Sequence, residues 1–499
     1  MFRRISFYGG FILGLMLLIG VVYSFTHNDH SSDSINASKE MNTDYTNQNT
    51  NNQSNADSSS KTSTDVNVDP IIKTMINLHK EINADSMIKN VTYLAEQPRG
   101  AGTDGEKRAV DYIESQFKSL GYETVIQEFK VEDFKENRRV VLINNKPIEG
   151  EIRAFFGKNI SGKVSAELVN AGKATSGEVG EDVKGKIALI ESGNIPYYMK
   201  IENLLDKGAI GAIMYYESSA SGFNPLVKDE NNIPAVAITR EQGLKLVEQL
   251  TKGPVKATVD VDVEEVDNTS YNVIATKKPD KIHDTGQIVT VGAHHDSVPT
   301  GSGANDDASG VAAVLELARI ISKKPIDTEV RFITFGAEER GLIGSSHYVY
   351  NLSTEEKEKM IAHFQMDMVG AAAAGGQNPG GGLIMFTKDG RKNLVTDLGA
   401  AASKNVFTEA IPFGKLGRSD HEPFHNMGIP AALFIHAPLE PDYHQPTDTL
   451  DKISKEKLQQ VAEIVGSAVY TIASPDTPPI EKAVEVPVSI EYQYEDRGL

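Results

Sequence analysis

His294, Asp296, Asp306, Glu338, Glu339, Asp367 and His444 are the residues of this 499-residue chain whose types and places can do chemistry together. Taken singly they carry little, because an isolated H-x-D or E-E pair is usually a cap or a surface pair. Their positions carry more. His294 and Asp296 directly follow an apolar run at 287–293 (QIVTVGA), and Asp306 sits in a glycine-rich turn at 301–310 (GSGANDDASG). Glu338 and Glu339 follow a run at 329–337, Asp367 follows 362–366, and His444 follows 431–436 after the short loop 437–443. Each run reads as a strand, so the acids and imidazoles emerge at one edge of a sheet.

Two histidines and three carboxylates suit a divalent ion such as Zn²⁺. Five donors exceed the three that one catalytic zinc uses. With Asp306 shared, each of two ions takes one histidine, one terminal carboxylate and part of Asp306. The charges then balance, since Asp306, Glu339, Asp367 and a hydroxide offset two dications. Ions about 3.5–4 Å apart polarise a carbonyl and lower the pKa of the water between them. Glu338 is left over as the natural general base for that water. Asp296 is also left over, and is expected to hold the His294 ring through its second nitrogen.

A competing pattern lies at 421–425, HEPFH, which matches the zincin signature H-E-x-x-H with Glu440 as a distal ligand. That chemistry needs His421 and His425 on one helix face. Pro423 is expected only at a first helical position, which would leave His421 outside the helix, and Gly428 and Pro430 close the segment at once. The reading is therefore set aside. A serine hydrolase would need a G-x-S-x-G elbow, which the chain lacks. With no cysteine, thiol nucleophiles, cysteine-ligated zinc, iron–sulfur clusters and disulfides are excluded.

The elements that must position these groups follow from periodicity. Residues 109–120 carry apolar positions at helical spacing, Gly121 ends that helix, and 123–129 resumes as a strand. From 263 to 473 strand-like runs alternate with helical ones at 309–322 and 455–469, with 344–350 a turn or helix. This predicts βαβ units and an α/β fold on a mostly parallel sheet. Residues 145–262 hold no histidine and no dense group of carboxylates, so they read as an insertion between two parts of one catalytic domain.

Length predicts two or three domains. The composition, 39% hydrophobic and 24% charged, excludes both a polytopic membrane protein and a wholly disordered chain. The net charge of −19 argues against nucleic acid as a partner. Arg3 and Arg4 precede an uncharged run at 5–26 long enough to cross a bilayer, which is either an uncleaved anchor or a cleaved export signal. The body is exported in both cases. Residues 27–69 are polar and aperiodic, a solvated linker. The expected organisation is therefore anchor or signal 1–26, disordered linker 27–69, catalytic parts 70–144 and 263–473, insertion 145–262, and a tail 474–499 that is loose or carries an edge strand near 486–492.

At these residues the sequence resembles the co-catalytic zinc aminopeptidases of metallopeptidase family 28. The likeness rests on GAHHDSV (292–298), GSGANDDASG (301–310), FGAEERGLIGS (335–345), MDMVG (366–370), GRSDHEPF (417–424) and YHQPTDT (443–449), with RGAGTDGEKRAVDYIESQF (99–117) as the family's opening helix. The insertion, with GKIALIESG (185–193) and KGAIGAIMYY (207–216), is similar to a protease-associated domain. The resemblance implies a three-layer α/β sandwich of the zinc exopeptidase type with a β-rich α/β insertion, and two Zn²⁺ per chain. It implies that His294 and Asp367 bind one ion, Glu339 and His444 the other, that Asp306 bridges them, that Glu338 is the base and that Asp296 supports His294. Tyr443 would stabilise the oxyanion, and the S-D-H segment would line the substrate pocket. The Ala/Gly-rich stretch 371–382 departs from the family pattern beside that pocket.

The expected function is an exported aminopeptidase acting on peptides with a free N-terminus, the amine held by acidic groups near the metals. The alternative on the same fold is a carboxypeptidase or dipeptidase, with Arg418 or Arg340 as carboxylate anchors. Glutaminyl cyclases share the fold with a reduced metal set, and a non-catalytic ectodomain would have lost ligands; the full donor set argues against both. Oligomeric state and side-chain preference are not written in the sequence.

Overall fold

Apolar runs buried on both faces become the central strands of the sheet. In a computed structural model the described residues are 69–481, apart from 194, 217–224, 226, 228–231, 280, 377–381 and 408. The strands in chain order are β1 (Glu123–Ile143), β2 (Lys146–Pro147), β3 (Ile152–Ala154), β4 (Gly162–Asn170), β5 (Ile187–Glu191), β6 (Gly211–Tyr215), β7 (Ala235–Ile238), β8 (Lys256–Lys277), β9 (Ile288–His294), β10 (Glu329–Phe335), β11 (Met360–Met366), β12 (Leu383–Thr387), β13 (Phe413–Lys415) and β14 (Ala431–His436). They join in the order β13-β12-β14-β11-β9-β10-β8-β4-β5-β6-β7-β3, with β1 beside β8. The four central strands β14, β11, β9 and β10 are parallel. Antiparallel β12 and β8 flank them.

Alternation along the central strands feeds two helical layers. Val289, Val291 and Ala293 of β9 and Val330 and Phe332 of β10 face a core shared with the helices Ala84–Leu94, Asp104–Ser119, Ala308–Ile321 and Lys455–Ala473. Ile288, Ile333 and Phe335 point the other way, onto Tyr348, Val349 and Phe424 of the helices Ile343–Tyr350 and His421–Asn426. The result is a three-layer α/β sandwich on a mixed sheet. Ala308–Ile321 is its central helix: every residue except Arg319 is buried. Full burial of each large apolar side chain there contributes roughly 1.5–3 kcal/mol.

The stretch after β1 repeats the same logic on a smaller scale. Ala188, Ile190, Ala212 and Met214 line one core with Ile201 and Leu204, while Ile187, Leu189, Ile213 and Tyr215 line a second with Leu246. The helices Tyr197–Asp206 and Arg240–Lys252 cover the two faces. The chain enters this unit along β1 and returns along antiparallel β8, in register from Glu123↔Thr276 to Ile143↔Ala257 with one irregularity at Glu136/Arg138. β8 is continuous across 262/263: its start pairs with β4, its end with β10.

β1 is far longer than the strand expected at 123–129. Residues 130–139 are mostly charged and mostly not buried, so no apolar alternation marks them; pairing with β8 holds them extended. The anchor or signal at 1–26, the linker up to residue 68 and the alternation at 486–492 lie outside the described residues. Among the described residues, no helix is long and apolar enough to cross a membrane.

Candidate metal centre

The carboxyl ends of the four parallel strands deliver the sequence-selected groups to one place. His294 is the last residue of β9, Asp367 follows the last residue of β11, and Glu338 and Glu339 follow β10 after Gly336 and Ala337. His444 arrives from β14 through the loop 437–443, and Asp306 comes from the turn that leads into the Ala308–Ile321 helix. Ala337 (φ 53°), Met368 (φ 54°) and His444 (φ 58°) all adopt the left-handed region. Such backbone costs about 1–3 kcal/mol per residue and persists where the surroundings over-determine it. Here it turns the chain sharply at the strand ends.

Asp306 is the hub. Its Oδ1 lies 3.1 Å from His294 Nε2, and its Oδ2 lies 3.2 Å from His444 Nε2. Asp367 Oδ1 is 3.5 Å from the same His294 nitrogen, and Glu339 Oε2 is 3.1 Å from that of His444. The His294, Asp306, Glu338, Glu339 and Asp367 side chains are all buried. Burial pushes the Asp306 carboxyl up, but the two imidazoles bonded to it hold it well below the usual carboxylate range. Burial lowers the two rings, and their acidic neighbours more than reverse this. Glu338, Asp296, Asp306 and Asp367 raise His294, while Glu339 and Asp306 raise His444. Such a cluster calls for positive charge.

Two buried oxygens, Glu339 Oε1 and Asp367 Oδ1, have no hydrogen-bond partner. Orphaned acceptors among imidazole nitrogens and carboxylates are the donor set that zinc takes, so these residues fit such ions. Proximity alone would group His294 and Asp367 with Asp307 rather than Asp306. The Asp307 oxygens are already committed, however. Oδ1 accepts from Gly310 N at 2.8 Å and Met368 N at 3.2 Å, and Oδ2 accepts from His294 N at 3.2 Å. Asp307 is the helix N-cap and a brace for two strand ends. Gly310 permits this closeness: a Cβ there would sit 2.4 Å from Met366 O and 2.5 Å from Asp307 Oδ2.

Asp296 faces His294 Nδ1, as expected of it, and does a second job besides. The nearest acceptor to His294 Nδ1 is the Asp296 backbone carbonyl at 3.2 Å, with the carboxylate at 3.5 Å. The carboxylate also accepts from the backbone N–H groups of Glu338 (3.0 Å) and Glu339 (3.2 Å), so it fixes the turn that carries both acids. Glu338 itself is buried. Burial and the negative charges of Glu339, Asp367 and Asp420 push its carboxyl well above the usual range, against the pull of His294. Tyr443 borders the group, its ring stacked 3.8 Å from that of His444.

Other supports carried no local signal. Ser419 Oγ donates to Asp367 Oδ2 at 2.8 Å. Arg99, fully buried, donates to the carbonyls of Leu94, His295, Ser302 and Gly303 at 2.5–3.1 Å, so it braces the loop between His294 and Asp306. Burial lowers its pKa to about 10, against Asp296, Asp307, Asp448 and Asp306. Nothing in its own neighbourhood of sequence announces this. The Asp307 cap could have been found, since an acid directly before an apolar helix is a start signal.

The expectation that Pro423 would leave His421 outside a helix is overturned. His421–Asn426 is one short helix with Pro423 inside its first turn. A first turn has N–H groups without intrahelical partners, so the missing proline donor costs nothing there. The zincin reading still fails on placement. His421 Nε2 is engaged with Leu416 O at 2.8 Å, Glu422 pairs with Lys388 at 3.0 Å, and Glu440 accepts from Asn305 at 2.6 Å. Neither metal-capable group among the described residues includes His421 or His425.

Comparisons with known proteins agree with this geometry. Residues 272–469 match the model of peptidase family M28, and residues 164–246 match the PA domain. The chain is 36% identical over 391 residues to aminopeptidase YwaD of Bacillus subtilis, covering 77% of this chain and 83% of that one. The solved aminopeptidase from Aneurinibacillus sp. strain AM-1 is 47% identical with a TM-score of 0.67, over 83% of this chain and 98% of that one. The solved structure of BSAP, a zinc aminopeptidase from Bacillus subtilis, is 34% identical with a TM-score of 0.71, over 81% and 98%. Four strand ends converging on Asp306, together with these likenesses, mean that the chain belongs to peptidase family M28 and carries a PA domain inserted in its peptidase fold.

Proposed function

We propose that this protein is an exported zinc aminopeptidase that holds two ions, His294 and Asp367 on one, Glu339 and His444 on the other, with Asp306 shared. The observation that carries the reading is the pair of contacts from one carboxylate: Asp306 Oδ1 to His294 and Oδ2 to His444. Zinc bound there supplies a Lewis acid that polarises a peptide carbonyl and lowers the pKa of water. The protein's own groups do the rest. Glu338, a buried carboxyl beside the donor residues and outside both groups close enough to hold an ion, takes the proton from the attacking water and passes it to the leaving nitrogen. Asp296 holds Glu338 in place through the backbone. Tyr443, stacked on His444, donates toward the developing oxyanion.

The substrate is a peptide with a free N-terminus, its amine drawn to the acidic rim. A carboxypeptidase would need a cation to anchor a terminal carboxylate. Arg340, which directly follows Glu339, is paired with Asp133 of β1. The experiment is hydrolysis of matched free and N-acetylated peptides: free peptides are expected to release their first residue and blocked ones to remain intact. Release of the last residue from a blocked peptide would establish the carboxypeptidase instead. Export rests on Arg3, Arg4 and the uncharged run to residue 26, and the division into catalytic parts 70–144 and 263–473 around an insertion is part of the same proposal.

The metals should also hold the fold. Ions that bind only the native chain add about 4 kcal/mol at a thousandfold excess over Kd. Chelation is therefore expected to lower the thermal midpoint by roughly 10 °C, and added Zn²⁺ to restore it. A midpoint indifferent to chelator would contradict a metal held in this buried cluster.

A further inference from the structure

We propose that Asn305 is a positioning residue that ties the loops after β11 and β14 to the turn bearing Asp306. This rests on the metal-site reading above. Asn305 is fully buried, and every polar atom it has is used. Its Oδ1 accepts from Gly370 N and Ala371 N, both at 2.8 Å, on the loop that follows Asp367. Its Nδ2 donates to Glu440 Oε1 at 2.6 Å, on the loop that leads to Tyr443 and His444. Its backbone N–H donates to Asp448 Oδ1 at 2.8 Å, and the next N–H, that of Asp306, donates to Asp448 Oδ2 at 3.1 Å.

The amide orientation is dictated by this set. Two backbone N–H groups can be accepted only by oxygen, so the NH₂ must face Glu440. One planar group therefore sets the spacing between the Asp367 side and the His444 side of the site, and its own backbone fixes Asp306 between them. Asp307, on the opposite flank of Asp306, reaches His294 N and Met368 N. The two neighbours of the shared aspartate thus grip three different strand ends. An alanine at 305 would leave two N–H groups and a carboxylate buried without partners.

The chemistry allows a test in which charge and atom count stay the same. Asn305→Asp keeps the oxygen facing Gly370 and Ala371 but sets a carboxylate against that of Glu440. Glu440→Gln keeps an acceptor for the Asn305 NH₂. The double variant N305D/E440Q reverses donor and acceptor and rebuilds the bond. Partners of this kind change metal affinity or activity by about 10–100-fold when lost. N305D is therefore expected to weaken Zn²⁺ retention against a competing chelator and kcat/KM by about that factor, E440Q by less than about threefold, and N305D/E440Q to recover most of the loss.

Metal affinity is measured on the full chain alongside the thermal midpoint without metal. A role in general stability alone would lower that midpoint and leave affinity unchanged, and this would overturn the proposal. So would N305D with wild-type affinity, or a double variant no better than N305D. If N305D does not fold, the double variant decides: it must fold and hold metal as the wild type does, and failure overturns the proposal. A wild-type protein that binds no Zn²⁺ would instead sink the reading of the metal site.

Discussion

Glu338→Gln is expected to lower kcat by about 10²–10⁴-fold while the bound metal stays at the wild-type level. The side chain is buried beside the acids of the donor set yet belongs to neither group of residues close enough to hold an ion. Its backbone is held by Asp296, so an amide of the same shape occupies the same place. What disappears is the ability to take a proton. The variant should therefore bind substrate with KM little changed, because the loss falls on the chemical step. Elemental analysis separates the two ways of being wrong. Metal lost together with activity would make Glu338 a ligand, and turnover within threefold of wild type would remove it from the reaction.

The strand-end groups were legible in the sequence because each stands directly behind an apolar run, and a parallel sheet sends such residues to one edge. The same rule located Asp296 and Glu338. It did not say how Asp296 acts, since the choice between its carboxylate and its carbonyl for His294 is a matter of tenths of an ångström. Nor did it explain why Asp306 rather than Asp307 faces the histidines; only the helix start, which uses both Asp307 oxygens, resolves two adjacent acids. Arg99 and Asn305 gave no warning because most of their partners lie far away in sequence, and many of them are backbone groups without side-chain signature. The length of β1 was hidden for another reason. Charged residues in a two-stranded ribbon need no apolar alternation when pairing with a partner strand holds them extended.

Asp306→Asn should do the greatest damage per atom changed. One carboxylate serves both histidines, Oδ1 toward His294 and Oδ2 toward His444. An amide keeps one oxygen and replaces the other with an NH₂ that cannot donate a lone pair to a metal. It also removes a negative charge that two dications held there would share. Backbone placement survives, because Asp448 still accepts the Asp306 N–H. Loss of a supporting partner alone costs about 10–100-fold in metal affinity, and loss of a shared donor is expected to exceed that. Metal content should fall from two equivalents to one or fewer, with kcat/KM falling in step. Asp307→Asn is the contrast: an asparagine oxygen still caps the helix, but its NH₂ would face the His294 N–H that Oδ2 now accepts, so it should lower the thermal midpoint more than the metal content. A protein that keeps two equivalents after Asp306→Asn but loses one after Asp307→Asn would transfer the shared role to the neighbouring acid, and the arrangement of donors argued from the two histidine contacts would have to be redrawn around it.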